Sequence, residues 1–224
     1  MLAASCVAGP VVAADDDLIL ARVKGDVGYA LGAPAGAPHP VFGRIALPPD
    51  AYARTAFRAA ARVTLPDSSL IDIGDRTTVQ LGRFARDGNV NGTTIALDRG
   101  AVRFDIRRPA GKRSSYRFVT ATTQIAVRGT VAYLVSGPRG DQLYCIDCAP
   151  GDVTVTTNSP LGTFAVESGQ TLNVRRTGER ALDASLVANA TINNPAIDQF
   201  LGGFSPFGQP AAGGTDSTGS ESGN

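Results

Sequence analysis

Val102-Arg103-Phe104-Asp105-Ile106 is the stretch that decides the fold. Apolar and charged residues alternate, so three side chains face one way and two the other. A strand with one buried face reads like this. Upstream, Ile95 and Leu97 keep the same period and run into Asp98-Arg99-Gly100, which reads as a break between two strands. Downstream, Arg107 to Arg113 holds Pro109 and Gly111 and reads as a turn. Its cations Arg107, Arg108, Lys112 and Arg113 suggest a solvated hairpin tip.

The same period extends both ways. Val63 and Leu65 end at Pro66-Asp67-Ser68, and Ile71 and Ile73 flank Asp72 before Gly74-Asp75. Val79 and Leu81 follow, and Asn91-Gly92 reads as a turn dipeptide. Beyond the centre come Tyr116 and Phe118, Ile125 and Val127, Val131 to Val135, Leu143 and Cys145, Val153 and Val155, and Leu172 and Val174. Gly, Pro, Asn and Ser punctuate them. Short strands about 8–12 residues apart predict an all-β domain over residues 18–176, an irregular β-solenoid or β-sandwich-like stack. Residues 30–40 read as a Gly/Ala/Pro loop holding His39 between two prolines. Residues 177–203 read as an extension with a short helix, from the cap Asn194-Pro195 through Leu201 to Gly202-Gly203. Residues 204–224 are too polar and small to offset their ordering entropy and read as a disordered tail.

The composition narrows the chemistry. Among 224 residues there is no Trp and one His, and the net charge is +1. Such a balance announces no nucleic-acid partner. No run approaches the roughly 18 apolar residues of a membrane-spanning helix. Residues 1–14 are apolar or small and resemble a shortened signal peptide, with Val12 and Ala14 placed for cleavage before Asp15. A lipidation reading at Cys6 is the lesser alternative. If Cys6 leaves with the signal, Cys145 and Cys148 remain, an even count suited to an oxidising compartment. A redox CxxC belongs at a helix N-terminus, whereas Leu143-Tyr144 and Val153-Thr154-Val155 read as strand. Zinc needs four ligands, and His39 is the one further histidine on offer. A disulfide needs Cα atoms within about 7 Å, so the chain must bend at Ile146-Asp147 to close one. That disulfide is the expectation.

Several of these segments resemble, in order and spacing, the FecR-type domain. Val63-Thr64-Leu65-Pro66-Asp67-Ser68-Ser69-Leu70-Ile71-Asp72-Ile73 is similar to its apolar, Asp-Gly-Ser, alternating-Leu segment, with Ser68 where the family has glycine. Thr77-Thr78-Val79-Gln80-Leu81 resembles its next step. Leu97-Asp98-Arg99-Gly100-Ala101-Val102 resembles its strand pair, and Val127-Arg128-Gly129-Thr130 its most recognisable tetrapeptide. Phe118 to Thr122 stands at its Phe-x-Val-x-Thr-Pro element without the proline. Gly151-Asp152-Val153 and Gly169-Gln170 resemble its closing elements. The resemblance spans roughly residues 20–176. It implies an all-β domain outside the cytoplasm that, in the best-known members, relays the state of an outer-membrane transporter to a sigma factor. Those members add an anti-sigma region and a membrane span, and neither pattern is found here.

The resemblance gives structural roles to Asp67, Gly100, Arg128, Gly129, Thr130, Gly151, Gly169 and Gln170. Asp72 with Asp75, or Asp147 with Asp152, are carboxylate pairs that could serve as glycosidase acids or calcium ligands. Turn chemistry explains them more simply. Asn91-Gly92-Thr93 and Asn189-Ala190-Thr191 are sequons, not read as glycosylated. No catalytic residue, cofactor or metal is expected. The leading expectation is a non-enzymatic, periplasmic or secreted module that binds or scaffolds an envelope protein through strand edges. A detached sensor domain for sigma-factor-linked signalling is the alternative, and an enzyme acting on cell-wall glycans a remote third.

Overall fold

The computed structural model describes residues 17–87, 90–108, 113–158, 161–178 and 182–188. Every regular element among them is a strand. The expected signal segment, C-terminal helix and tail lie outside the described residues.

In chain order the strands begin with β1 (Leu18–Lys24), β2 (Val27–Ala30), β3 (His39–Pro40), β4 (Arg44–Leu47) and β5 (Tyr52–Thr55). Next come β6 (Ala60–Thr64), β7 (Leu70–Ile73), β8 (Thr78–Leu81), β9 (Ala85–Asp87), β10 (Val90–Gly92) and β11 (Thr94–Asp105). β12 (Arg113–Ser114), β13 (Tyr116–Val119), β14 (Thr123–Val127), β15 (Val131–Gly137) and β16 (Gly140–Asp147) follow. β17 (Val153–Thr157), β18 (Thr163–Ala165), β19 (Gln170–Arg176) and β20 (Leu182–Ala188) complete the fold.

They form two large sheets and a small one. The first runs β4-β1-β6-β7-β11-β15-β16-β19-β20. The second runs β3-β2-β5-β8-β11-β13-β14-β17-β18. β10 lies between β9 and β12 in the third. Neighbours in the two large sheets are antiparallel except β11 and β13. The chain switches from one sheet to the other every strand or two, so both sheets grow in the same direction. Among the described residues neither large sheet closes, which leaves β4, β20, β3 and β18 as edges.

β11 belongs to both sheets. Its first half pairs with β8, a bulge falls between Leu97 and Arg99, and from Gly100 it pairs with β15. This corrects the reading of Asp98-Arg99-Gly100 as a break. Gly100 has φ +104°, and a Cβ there would lie 2.6 Å from the Cα of Thr77. The Thr77 hydroxyl meets the same bend, accepting from Ala101 N at 3.0 Å. A bulge and a glycine re-aim the strand without ending it.

The alternation at the centre holds. Val102, Phe104 and Ile106 are buried and Arg103 and Asp105 half-buried. The core lies between the sheets and is aliphatic apart from a few rings. Phe104 of the first sheet stacks on Phe118 of the second, with centroids 4.1 Å apart. Two local expectations are corrected. Asn91 and Gly92 lie in β10, because the Asn91 carbonyl accepts from Ser115 N at 2.8 Å and draws the backbone into a ladder. His39 is not in a loop but in β3, opposite Tyr29, on whose ring it stacks at 5.0 Å. The sheet also continues past residue 176, since β20 pairs with β19 along its whole length.

Candidate functional site

The carboxylates that sequence singled out are spread over the molecule, and those of Asp72 and Asp152 are engaged in ion pairs. Asp72 is not a turn residue. It sits in β7 on the outer face of the first sheet, opposite Arg62 of β6 and Arg103 of β11. Arg62 Nε donates to it at 2.7 Å and Arg103 Nη1 at 3.4 Å. The two guanidiniums cover it, leaving it 1% exposed. Burial pushes its carboxyl above the usual value of 3.8, against the opposing pull of the two arginines. Asp75 turns the chain, its carbonyl accepting from the Thr77 hydroxyl. Asp147 is exposed at the end of β16. Asp152 is ion-paired with Arg108.

Apart from Gly100 at the β11 bulge, the residues of the resemblance sit at three junctions. One Asp67 oxygen accepts from Ser69 N at 2.9 Å and the other from the Tyr116 hydroxyl at 2.6 Å, tying the β6–β7 turn to β13. Burial, then the Asp67 hydrogen bond, raise the Tyr116 pKa far above 10.0. The Val127-Arg128-Gly129-Thr130 segment forms the second junction. Gly129 has φ +94°, and a Cβ there would strike the Arg108 side chain. Arg108 therefore lies across Gly129, donates from Nε to the Arg128 carbonyl at 3.0 Å and reaches Asp152. Arg107 and Arg108 are both exposed, as expected of a solvated tip, and Arg108 is in addition tied down by these contacts. The Arg128 side chain is exposed, and its amide donates to the Asp152 carbonyl at 2.9 Å. Thr130 is buried and its backbone pairs with Ile106.

The third junction holds the cysteines. Cys145 and Cys148 form a disulfide with Cα atoms 6.0 Å apart. β16 has the extra residue there, since Val131 and Ala132 oppose Asp147 and Cys145, and Ile146 bulges outward. Cys148 N donates to the Ser168 hydroxyl at 2.8 Å, and Gly169 N to the Cys145 carbonyl at 2.9 Å. Gln170 closes the same turn, its side-chain oxygen accepting from Glu167 N. Gly151 has φ +80° in the turn before β17. The disulfide thus clamps the approach to β19.

Sequence reasoning missed two features. Asp141 accepts from the hydroxyls of Thr120, Thr122 and Thr123, pinning the β13–β14 turn to the start of β16. The second is a groove on the outer face of the second sheet. Pro40, Gly28 and Arg54 lie in one row across β3, β2 and β5. Pro38 overhangs Gly28, where a Cβ would come within 3.0 Å of the proline Cβ. Arg22, Asp26 and Phe42 stand at the mouth of this cavity of about 280 Å³. The run Pro38-His39-Pro40-Val41-Phe42 offered a signal, because prolines confine a strand to an edge. At the opposite end, edge strand β20 exposes Leu186 and Val187. Among the described residues no cluster of His, Cys, Asp or Glu suits a metal ion, and no helix is long and apolar enough to cross a membrane.

Residues 51–154 match the model of the FecR protein family. Two crystal structures of a "putative anti-sigma factor" from Parabacteroides distasonis, at 1.65 Å and 2.50 Å resolution, are similar to it. Their identities are 12% and 13%, each with a TM-score of 0.47 over 62% of this chain. The chain spans 60% of the length of those structures. No curated protein matches it.

Proposed function

We propose that the chain is a non-enzymatic, extracytoplasmic binding module that works by docking an envelope protein on a sheet edge. The observation that carries this is the FecR match over residues 51–154 in a fold whose sheets stay open. β20 is the best candidate edge. It runs seven residues, pairs on one side with β19, and carries Leu186 and Val187 exposed. Such an edge takes a partner strand by main-chain hydrogen bonds, with side chains setting specificity. The non-enzymatic reading is supported by the carboxylates, since Asp67, Asp72, Asp141 and Asp152 are each engaged in holding strands or turns together. The disulfide fits an oxidising compartment.

Between scaffold and detached sensor, the FecR match favours the sensor. The test is affinity capture from envelope fractions with wild type and a Leu186→Asp variant. A partner recovered by the wild type and lost by the variant is expected. Equal recovery by both, or nothing above background, overturns the edge reading. Altered transcription of a sigma-factor-dependent set on deletion distinguishes the sensor from the scaffold.

A further inference from the structure

We propose that the groove floored by Gly28 binds an acidic peptide segment that inserts one aromatic or branched apolar side chain. It is a surface separate from the β20 edge. It is built mainly from residues 22–42, which precede the region matched by the family model.

The shape comes first. Gly28 lies between Pro40 and Arg54 in register, and its lack of a side chain lets Pro38 close to within 3.0 Å of where a Cβ would stand, so that glycine and proline together line the groove. Pro38 and Pro40 wall one side, and their rings hold that wall without flexible side chains. A volume of about 280 Å³ suits one inserted side chain rather than a large cofactor. Phe42 stands at the mouth 82% exposed, an orientation with little to offer a solitary molecule. An exposed ring beside an apolar slot is the kind of anchor that peptide partners cover.

The charge then selects the partner. Arg22 and Arg54 flank the slot, with Asp26 the single carboxylate in its lining. Arg22 makes no ion pair among the described residues, and Arg54 spends one nitrogen on the Gly36 carbonyl at 2.9 Å. The guanidinium fork matches a carboxylate with two parallel hydrogen bonds. Cations flanking a one-residue slot fit acidic residues on either side of an apolar one along an extended chain. A flat anionic lipid surface would meet the same cations but leave the apolar groove between them unfilled.

The experiment pans a phage library of random 12-mers on the full chain and measures the selected peptides by fluorescence anisotropy. Peptides carrying Asp or Glu around Phe, Tyr, Trp or Leu are expected to enrich, with affinity falling as salt rises. Phe42→Ala and Arg22→Ala alter exposed residues, so both should keep the wild-type melting temperature, and each should weaken binding at least tenfold. Leu186→Asp on β20 should leave it unchanged, which separates this site from the edge. No enrichment, enrichment without acidic residues, or affinity within twofold of wild type in both variants overturns the proposal. So does loss of binding in Leu186→Asp. Binding to phosphatidylglycerol vesicles without any peptide enrichment reassigns the groove to lipid and overturns it as well.

Discussion

Phe104 and Phe118 stack across the interior with their planes 25° apart, one from each sheet. Both rings are fully buried, and few other rings share the core. Because the rest of the core is largely aliphatic, this pair is the main aromatic bridge between the sheets. Phe104→Ala or Phe118→Ala is expected to cost about 3–5 kcal/mol in urea unfolding. A double-mutant cycle should return a coupling of about 0.5–1.5 kcal/mol beyond area burial. Additive effects would show that each ring packs on its aliphatic neighbours and not on the other.

Two turn positions should respond in opposite directions. Ser68 has φ +66° with an exposed side chain in the tight turn before β7. Left-handed backbone costs an L-residue about 1–2 kcal/mol, and glycine's extra unfolded-state freedom costs about 0.5–1 kcal/mol. Ser68→Gly is therefore expected to stabilise by about 0.5–1 kcal/mol. Gly100→Ala combines φ +104° with a Cβ 2.6 Å from Thr77 Cα, so it should destabilise by more than about 2 kcal/mol. Chemical denaturation midpoints check both. A less stable Ser68→Gly would mean that the serine is held by more than its backbone.

Period-two alternation made the all-β fold legible, because a half-buried strand shows its buried face in every second residue, as Val102, Phe104 and Ile106 do. What stayed hidden depends on distant partners. Asp98-Arg99-Gly100 carries a turn's composition, yet its bend is set by Thr77, from another strand's approach. Asp72 reads as one of several turn carboxylates, while the arginines that bury it lie 10 and 31 residues away. The groove needs Pro40, Gly28 and Arg54 from three strands in one row, and no local period reports that register. Cys145 and Cys148 are three residues apart, so their bend lay within reach of spacing alone.

Asp72 makes a pH prediction with a definite sign. Burial raises its folded-state pKa above 3.8, so the folded protein holds that proton more tightly than the unfolded chain. The favourable contribution is fully present below 3.8 and is lost as pH rises through the folded value. The stability difference between wild type and Asp72→Asn should therefore shrink as pH rises across that interval and level off above it. Urea titrations of both proteins from pH 3 to 7 measure it. A difference that grows with pH would mean that Arg62 and Arg103 outweigh burial and stabilise the carboxylate.

The disulfide should act locally. It closes a loop of sequence separation 3, for which chain-entropy arguments give about 2 kcal/mol. Its larger effect is positional. It holds the bulged end of β16 where Cys145 accepts from Gly169 N and Cys148 N donates to Ser168. In the Cys145→Ala/Cys148→Ala variant, the Cys148 and Gly169 amides should exchange faster with solvent, because their partners are no longer fixed. Amides of β11 should lose protection only by the global amount, since that strand lies three strands from β19, with β15 and β16 between, and is tied to β7, β8 and β15. Hydrogen exchange read residue by residue separates the two. Equal acceleration throughout would show that the bridge supports the whole fold through the unfolded chain, with no special hold on the β16–β19 corner.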